Sequence, residues 1–300
     1  MNTYGIINDS EQLRNVTGSW WANADFSRIE RIVRSVESEL AAVVGNKTMQ
    51  WIATGDGRSS EAWIHAACAV GYMACMRYYR LNDISHQDGG RKVKIDRDNE
   101  ARPFEWQLAR DDRAHLEEYY RALDRLLYAL QDVEAFADSD ACQQMKRLIV
   151  RDSRSLTWLT GIKDSPWTFL RMVPFLAESQ DYVQRNYGST FTPEDFKPTE
   201  NTDTVDYAAQ KATALGAIVL MGRRTSLQLM PYAMMQLIES DGGGNQRLQP
   251  TEEQLARYLT CLSRDQHYWV NEMKIRRDRD AQYTYLHTPD NRPEDKFIRL

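Results

Sequence analysis

The chain repeats itself, and that repeat limits its fold more than any other feature. At an offset of 143 residues, Phe26, Arg28 and Gly45 fall on Phe169, Arg171 and Gly188, and Ile29, Val33 and Leu40 fall on Met172, Leu176 and Val183. At an offset of 145, the run Ala69 to Met76 falls on Ala214 to Met221. Both halves then reach a glycine turn, DGG at 88–90 and DGGG at 241–244, and a long amphipathic helix follows each. The shared order is amphipathic helix, glycine stop, loop, buried helix, glycine turn and long helix.

Apolar spacing supports helices throughout. Phe26, Ile29, Val33, Val36, Leu40 and Val44 recur at steps of three and four, as do Leu116, Tyr119, Leu123, Leu126, Leu127, Leu130 and Val133. A third stripe holds Phe169, Met172, Leu176, Val183 and Tyr187. Ser165 stands at its cap and Pro166 at its first position, and Pro174 is placed to bend it or to end a short first piece. Thr251 and Gln254 form a capping box before Leu255, Tyr258, Leu262, Trp269 and Met273. The segments 61–81 and 206–221 are alanine-rich and apolar nearly all round, as helices buried between others are. Met49 to Ala53 and Lys92 to Ile95 read as short strands, and 143–159 as a linking helix.

The resulting expectation is a mainly α protein, a helical bundle with extended loops. One helical subdomain spans 1–136, a linking segment 137–165 and a second helical subdomain 166–275. The charged segment 276–300 reads as an extended C-terminal arm whose apolar tip, Phe297, Ile298 and Leu300, docks on a neighbour.

Composition narrows the function. Lys plus Arg total 38 against 43 Asp plus Glu, a net charge of −5, which argues against a general nucleic-acid coat. The start carries no secretory pattern, and no window approaches a membrane span, so a soluble protein assembled inside a cell is expected. The four cysteines at 68, 75, 142 and 261 form no C-x-x-C pair. His65, Cys68 and Cys75 share a helix but lack a fourth ligand of suitable spacing. The stretch Gly55 to Ser60 lacks the lysine of a phosphate loop, so Ser59 or Ser60 reads as a helix cap. No nucleophile elbow or di-metal pair occurs. The expectation is a non-enzyme without cofactor or metal, whose eight tryptophans exceed what a core needs. Trp20 and Trp21 are the best interface candidates. Two other classes stay open. One is a non-catalytic helical binding or regulatory module. The other is an enzyme with a scattered site around His65, Arg77 and the Asp88 loop.

Three features together carry a resemblance: the helix with Ile29, Val33, Leu40 and Gly45; the alanine-rich helix ending Tyr78-Tyr79-Arg80-Leu81; and the loop Asp88 to Phe104 before Glu105-Trp106-Gln107 and Ala122 to Leu127. Each half resembles the helical head–tail connector proteins of tailed phages, the adaptor family that forms a ring beneath the portal. The chain is also similar, over nearly its whole length, to a group of uncharacterised phage and prophage proteins of Bacteroidetes, through Leu227-Gln228-Leu229-Met230-Pro231. This chain is about twice the length of the usual connector. The resemblance implies a structural virion protein of the neck, assembled in the host cytoplasm as a dodecameric ring. Its partners would be itself, the portal and tail or neck proteins, with no membrane and no sequence-specific nucleic acid. Candidate interface residues are Trp20, Trp21, Asp88, Gly89, Gly90, Arg91, Phe104, Trp106, Phe297, Ile298 and Leu300.

Overall fold

A side-chain cap starts the first helix and a left-handed glycine ends it. Asp9 accepts the Gln12 N–H at 2.7 Å before α1 (Ser10–Thr17), and Gly18, at φ 68°, returns its N–H to the Arg14 carbonyl. The structure, a computed structural model, describes residues 4–21, 24–82, 85–87, 90–92, 105–188, 191–196, 201–224 and 251–287. It is mainly α and divides into two compact units, Met1–Gln144 and Met145–Leu300.

In the first unit, α2 (Ser27–Val44) buries Ile29, Val33, Val36, Leu40 and Val44, the stripe its spacing predicts. Gly45 stops it, and α3 (Asn46–Ala53) and α4 (Gly55–Arg58) follow. The strand expected at Met49 to Ala53 is therefore a helix. Met49 and Ile52, three apart, share its buried face, a helical spacing that a short apolar run does not reveal. Helix α5 (Glu61–Asn82) is the central rod. It packs against α1, α2 and α6 (Glu105–Ala129), with Ala66, Ala67, Ala69, Val70 and Ala74 buried. The expected serine cap of α5 does not form: the Ser60 hydroxyl donates to the Gly57 carbonyl instead. Between α5 and α6, β1 (Ser85–Gln87) and β2 (Gly90–Lys92) pair antiparallel, with His86 opposite Arg91. Lys92 ends β2; Val93 to Ile95 of the expected strand lie outside the described residues. Two short helices, α7 (Glu134–Ala137) and α8 (Asp140–Met145), complete the unit's helices.

The second unit uses the same frame. Asp152 accepts the Ser155 N–H at 2.7 Å before α9 (Ser153–Thr160), and Gly161 ends it at φ 74°. The linking helix expected over 143–159 is thus broken, because Asp152 starts a new one. Nor is 137–165 a linker, since Leu148, Ile149, Val150, Leu156 and Leu159 lie in the second unit's core. Ser165 and Pro166 start α10 (Pro166–Tyr187), which runs unbroken through Pro174. That proline is exposed, so its ring does not crowd the core. A 3₁₀ turn at Pro193–Asp195 precedes α11 (Val205–Arg224), the buried central rod. Thr251 and Gln254 then form their reciprocal capping box at the head of α12 (Glu252–His287).

One offset relates the two frames. The Ile6 N–H donates to Glu37 Oε1 at 2.8 Å, and 143 residues later the Ile149 N–H donates to Gln180 Oε1 at 2.8 Å. Thr17 Oγ1 donates to the Leu13 carbonyl, as Thr160 Oγ1 does to that of Leu156. Cys68 reaches the Val16 carbonyl, and Lys211 reaches that of Leu159. The last pair lies on α5 and α11, so the central rods also match at 143. The offset of 145 read there is corrected: a helix apolar nearly all round carries no polar face to set its phase.

The C-terminal boundary also moves. Residues 276–287 continue α12 rather than opening an extended arm. Arg276 is buried and donates to the carbonyls of Thr202 and Thr204 at 2.7 and 3.0 Å. Residues 288–300, including Phe297, Ile298 and Leu300, lie outside the described residues.

Candidate functional site

The expected interface residues meet different fates. Trp20 is a core residue and not an exposed one. It is 5% accessible, its indole N–H donates to Ser10 Oγ at 3.1 Å, and its ring stands edge-on to Tyr78. Trp21 is 77% exposed. Helix α1 and the loop after it turn one tryptophan inward and its neighbour out, which sequence adjacency alone does not foretell. Gly90 and Arg91 lie in β2 and Trp106 in the first turn of α6. Asp88, Gly89 and Phe104 lie outside the described residues, as do 227–231 and 241–244.

His65 and Arg77 both belong to α5 but are twelve residues, about 18 Å, apart along it. Arg77 is engaged by Glu39, its two terminal nitrogens 2.6 and 2.7 Å from the two carboxylate oxygens. Burial, with the Arg125 charge, pushes the His65 imidazole below its ordinary range. Burial likewise pushes the Cys68 thiol up, and that of Cys75 up to about 11. Both thiols stay protonated near neutrality and are poor nucleophiles. Among the described residues no three metal-ligating side chains converge.

A serine, a histidine and an aspartate do come together in the first unit. His115 Nδ1 donates to the Asp111 carbonyl at 3.0 Å, which leaves Nε2 to accept from the Ser19 hydroxyl at 3.3 Å. The Asp111 carboxylate stands farther from Nδ1, at 3.5 Å, and is mostly exposed. Tyr72 and Tyr79 present edges to the imidazole, and the Tyr79 hydroxyl donates to the Ser19 carbonyl. The buried carboxylate that orients a catalytic imidazole is replaced here by a helix carbonyl. The arrangement ties the loop after α1 to α6.

A cleft of about 390 Å³ opens in the second unit between α10, α11 and α12. Ser179 and Gly216 both line it. The Ser179 hydroxyl is fully buried and has no hydrogen-bond partner among the described residues, a state that costs about 1–3 kcal/mol. At Gly216 any side chain would overlap Ser179 Oγ and the Gln266 amide, so the glycine is what lets the three helices approach. Around the mouth, Arg224 holds Glu178 in a two-toothed pair that keeps its carboxyl below the usual carboxylate range. Arg185 pairs with Asp181. His267 Nδ1 donates to the Ser263 carbonyl at 2.6 Å, and the Tyr182 ring stands edge-on to the imidazole.

The repeat supplies an internal comparison. At the 143 offset, Ser179 and Gly216 correspond to Val36 and Met73 of the first unit, both buried apolar side chains. Tyr182 and Leu220 correspond to Glu39 and Arg77, which pair there. The first unit fills and seals the place that the second unit opens. Sequence reading passed over this cleft because a lone serine in an apolar stripe resembles a tolerated core substitution. Comparing the halves at a constant offset is the signal that finds it.

No protein-family model, curated protein or solved structure matches this chain. Among the described residues no helix is long and apolar enough to cross a membrane.

Proposed function

We propose that the chain is a structural assembly protein of the phage head–tail connector type, working by protein–protein contact as a ring subunit between portal and tail. The observation that carries this reading is the unequal exposure of one repeated frame. The first unit exposes Trp21, Ile64 and Leu81; the second exposes Trp158, Tyr268 and Ile275. At the 143 offset the counterparts of Trp21 and Leu81 are Asp164 and Arg224, and that of Ile64 is the buried Tyr207. The exposed apolar side chains of the two units thus stand at different positions of the repeated frame. Ring closure through a heterologous interface needs two different patches of one protomer to meet.

The test is absolute mass by light scattering over a concentration series, with negative-stain images, on the wild type and on Trp21→Asp and Trp158→Asp. A closed ring lost in either variant supports the reading. A monomer at every concentration, unchanged by both substitutions, overturns self-assembly. It would favour the second reading, a non-catalytic helical binding module, for which the open cleft is the specific support.

A further inference from the structure

We propose that the cleft between α10, α11 and α12 binds a carboxylate carried on a short apolar stem. The inference stands apart from the ring reading and holds whether or not the chain assembles.

Some polar groups of the cleft are matched within the protein and others are not. The two acids at its mouth, Glu178 and Asp181, are each already paired with an arginine. The Ser179 hydroxyl is buried with no partner among the described residues. The Gln266 amide and the exposed Arg223 guanidinium, which also line the cleft, make no hydrogen bond or ion pair among the described residues. A hydroxyl, a side-chain amide and a guanidinium all offer N–H or O–H groups, and the guanidinium offers nothing else. A group that accepts and carries negative charge suits each of these three donors. An ionised carboxylate, with its two oxygens and several lone pairs, meets that description.

The remaining lining sets the shape of what carries the carboxylate. Val219 and Leu220 on α11 and Tyr182 on α10 give it apolar lining. A few methylenes fit such a lining. The first unit argues that this is a built feature and not loose packing. There the same frame positions hold Val36 and Met73, and no unpartnered hydroxyl is left in the seam among the described residues. Thr213 Oγ1, opposite Val70 of the first unit, is also buried without a partner among the described residues, but it lines no part of the cleft; Ser179 does, so it is at Ser179 that a partner from outside has a way in.

Two sources share this chemistry: the side chain of a glutamate on a partner protein, and a free short diacid. The experiment uses the full chain with three probes, glutarate, N-acetylglutamate N-methylamide and the glutamine analogue of the latter. Binding is followed by ligand-observed NMR titration. The carboxylate probes are expected to bind and the glutamine analogue to bind about tenfold more weakly, since it offers no charge to the donors. Preference for the peptide-like glutamate over glutarate assigns the source to a protein side chain; the reverse assigns it to a free acid. Ser179→Ala and Arg223→Gln should each weaken carboxylate binding by about tenfold. Ser179→Ala should at the same time leave the melting temperature unchanged or raise it, because it removes an unpaired buried hydroxyl. A merely structural serine would lower the melting temperature and leave binding alone. The proposal is overturned if neither carboxylate binds, if the glutamine analogue binds as well, or if both variants bind like the wild type.

Discussion

Glu37 accepts the backbone N–H of Ile6 at 2.8 Å from a fully buried position on α2. The same carboxylate accepts longer bonds from Gly5 and Ile7 and lies 3.0 Å from the Arg34 guanidinium, which also donates to the Ile7 carbonyl. In the second unit, Gln180 performs the same clamp without charge, accepting from Ile149 and donating to the Arg147 carbonyl. Each clamp pins the segment before its capped helix onto the long amphipathic helix.

The two clamps should differ in what they lose. Glu37→Ala leaves a mostly buried arginine and several amide donors unmatched, and is expected to cost about 3 kcal/mol. Gln180→Ala removes a neutral clamp and is expected to cost about 1–2 kcal/mol. Urea denaturation of the two variants gives the order, and equal losses would show that the charge adds nothing.

Gly45 and Gly188 occupy equivalent places but not equivalent conformations. Gly188 takes the left-handed stop, φ 90° and ψ 5°, whereas Gly45 sits at φ 92° and ψ 148°, a region essentially reserved for glycine. A Cβ on Gly45 would also press on Ser139, at 3.3 Å. Gly45→Ala is therefore expected to cost about 2 kcal/mol or more and Gly188→Ala about 1 kcal/mol. Thermal unfolding of the pair checks it, and the reverse order would refute the conformational argument.

Removing the C-terminal segment should have opposite results at two cut points. Ending the chain after His287 leaves every described contact of α12 in place and should preserve the folded second unit. Ending it after Ile275 deletes Arg276, which lies over the Trp269 ring and holds the Thr202 and Thr204 carbonyls, and deletes Arg277 and Arg279, which reach Tyr187 and Asp203. That cut is expected to lower the melting temperature, and Arg276→Ala alone to cost about 2–4 kcal/mol. An unchanged melting profile for the shorter chain would restore the arm as a detachable element.

Thiol labelling reads the packing of the central rod. Cys75 is fully buried with its thiol pushed up to about 11, and Cys261 is exposed on α12. Brief alkylation of the native protein near neutral pH, read by mass spectrometry, should mark Cys261 well before Cys75. Comparable rates at the two would mean that α5 is not the buried rod of its unit.

What could be read from the chain alone was what local chemistry controls. The stripe of α2, the Ser165-Pro166 start of α10, the Thr251–Gln254 box and the glycine stops each depend on residues within a turn or two, so spacing and cap chemistry reveal them. The alanine-rich rods were legible as buried helices, but not their phase. With apolar residues on every side, only contacts such as Cys68 with the Val16 carbonyl and Lys211 with that of Leu159 set it. Packing also decided that Trp20 faces inward while Trp21 faces water, and that Arg276 is an anchor within a charged run. The cleft is the clearest case. Ser179 and Gly216 lie on different helices, and their meaning appears only where α10, α11 and α12 meet, beside a first unit that closes the same place with Val36 and Met73.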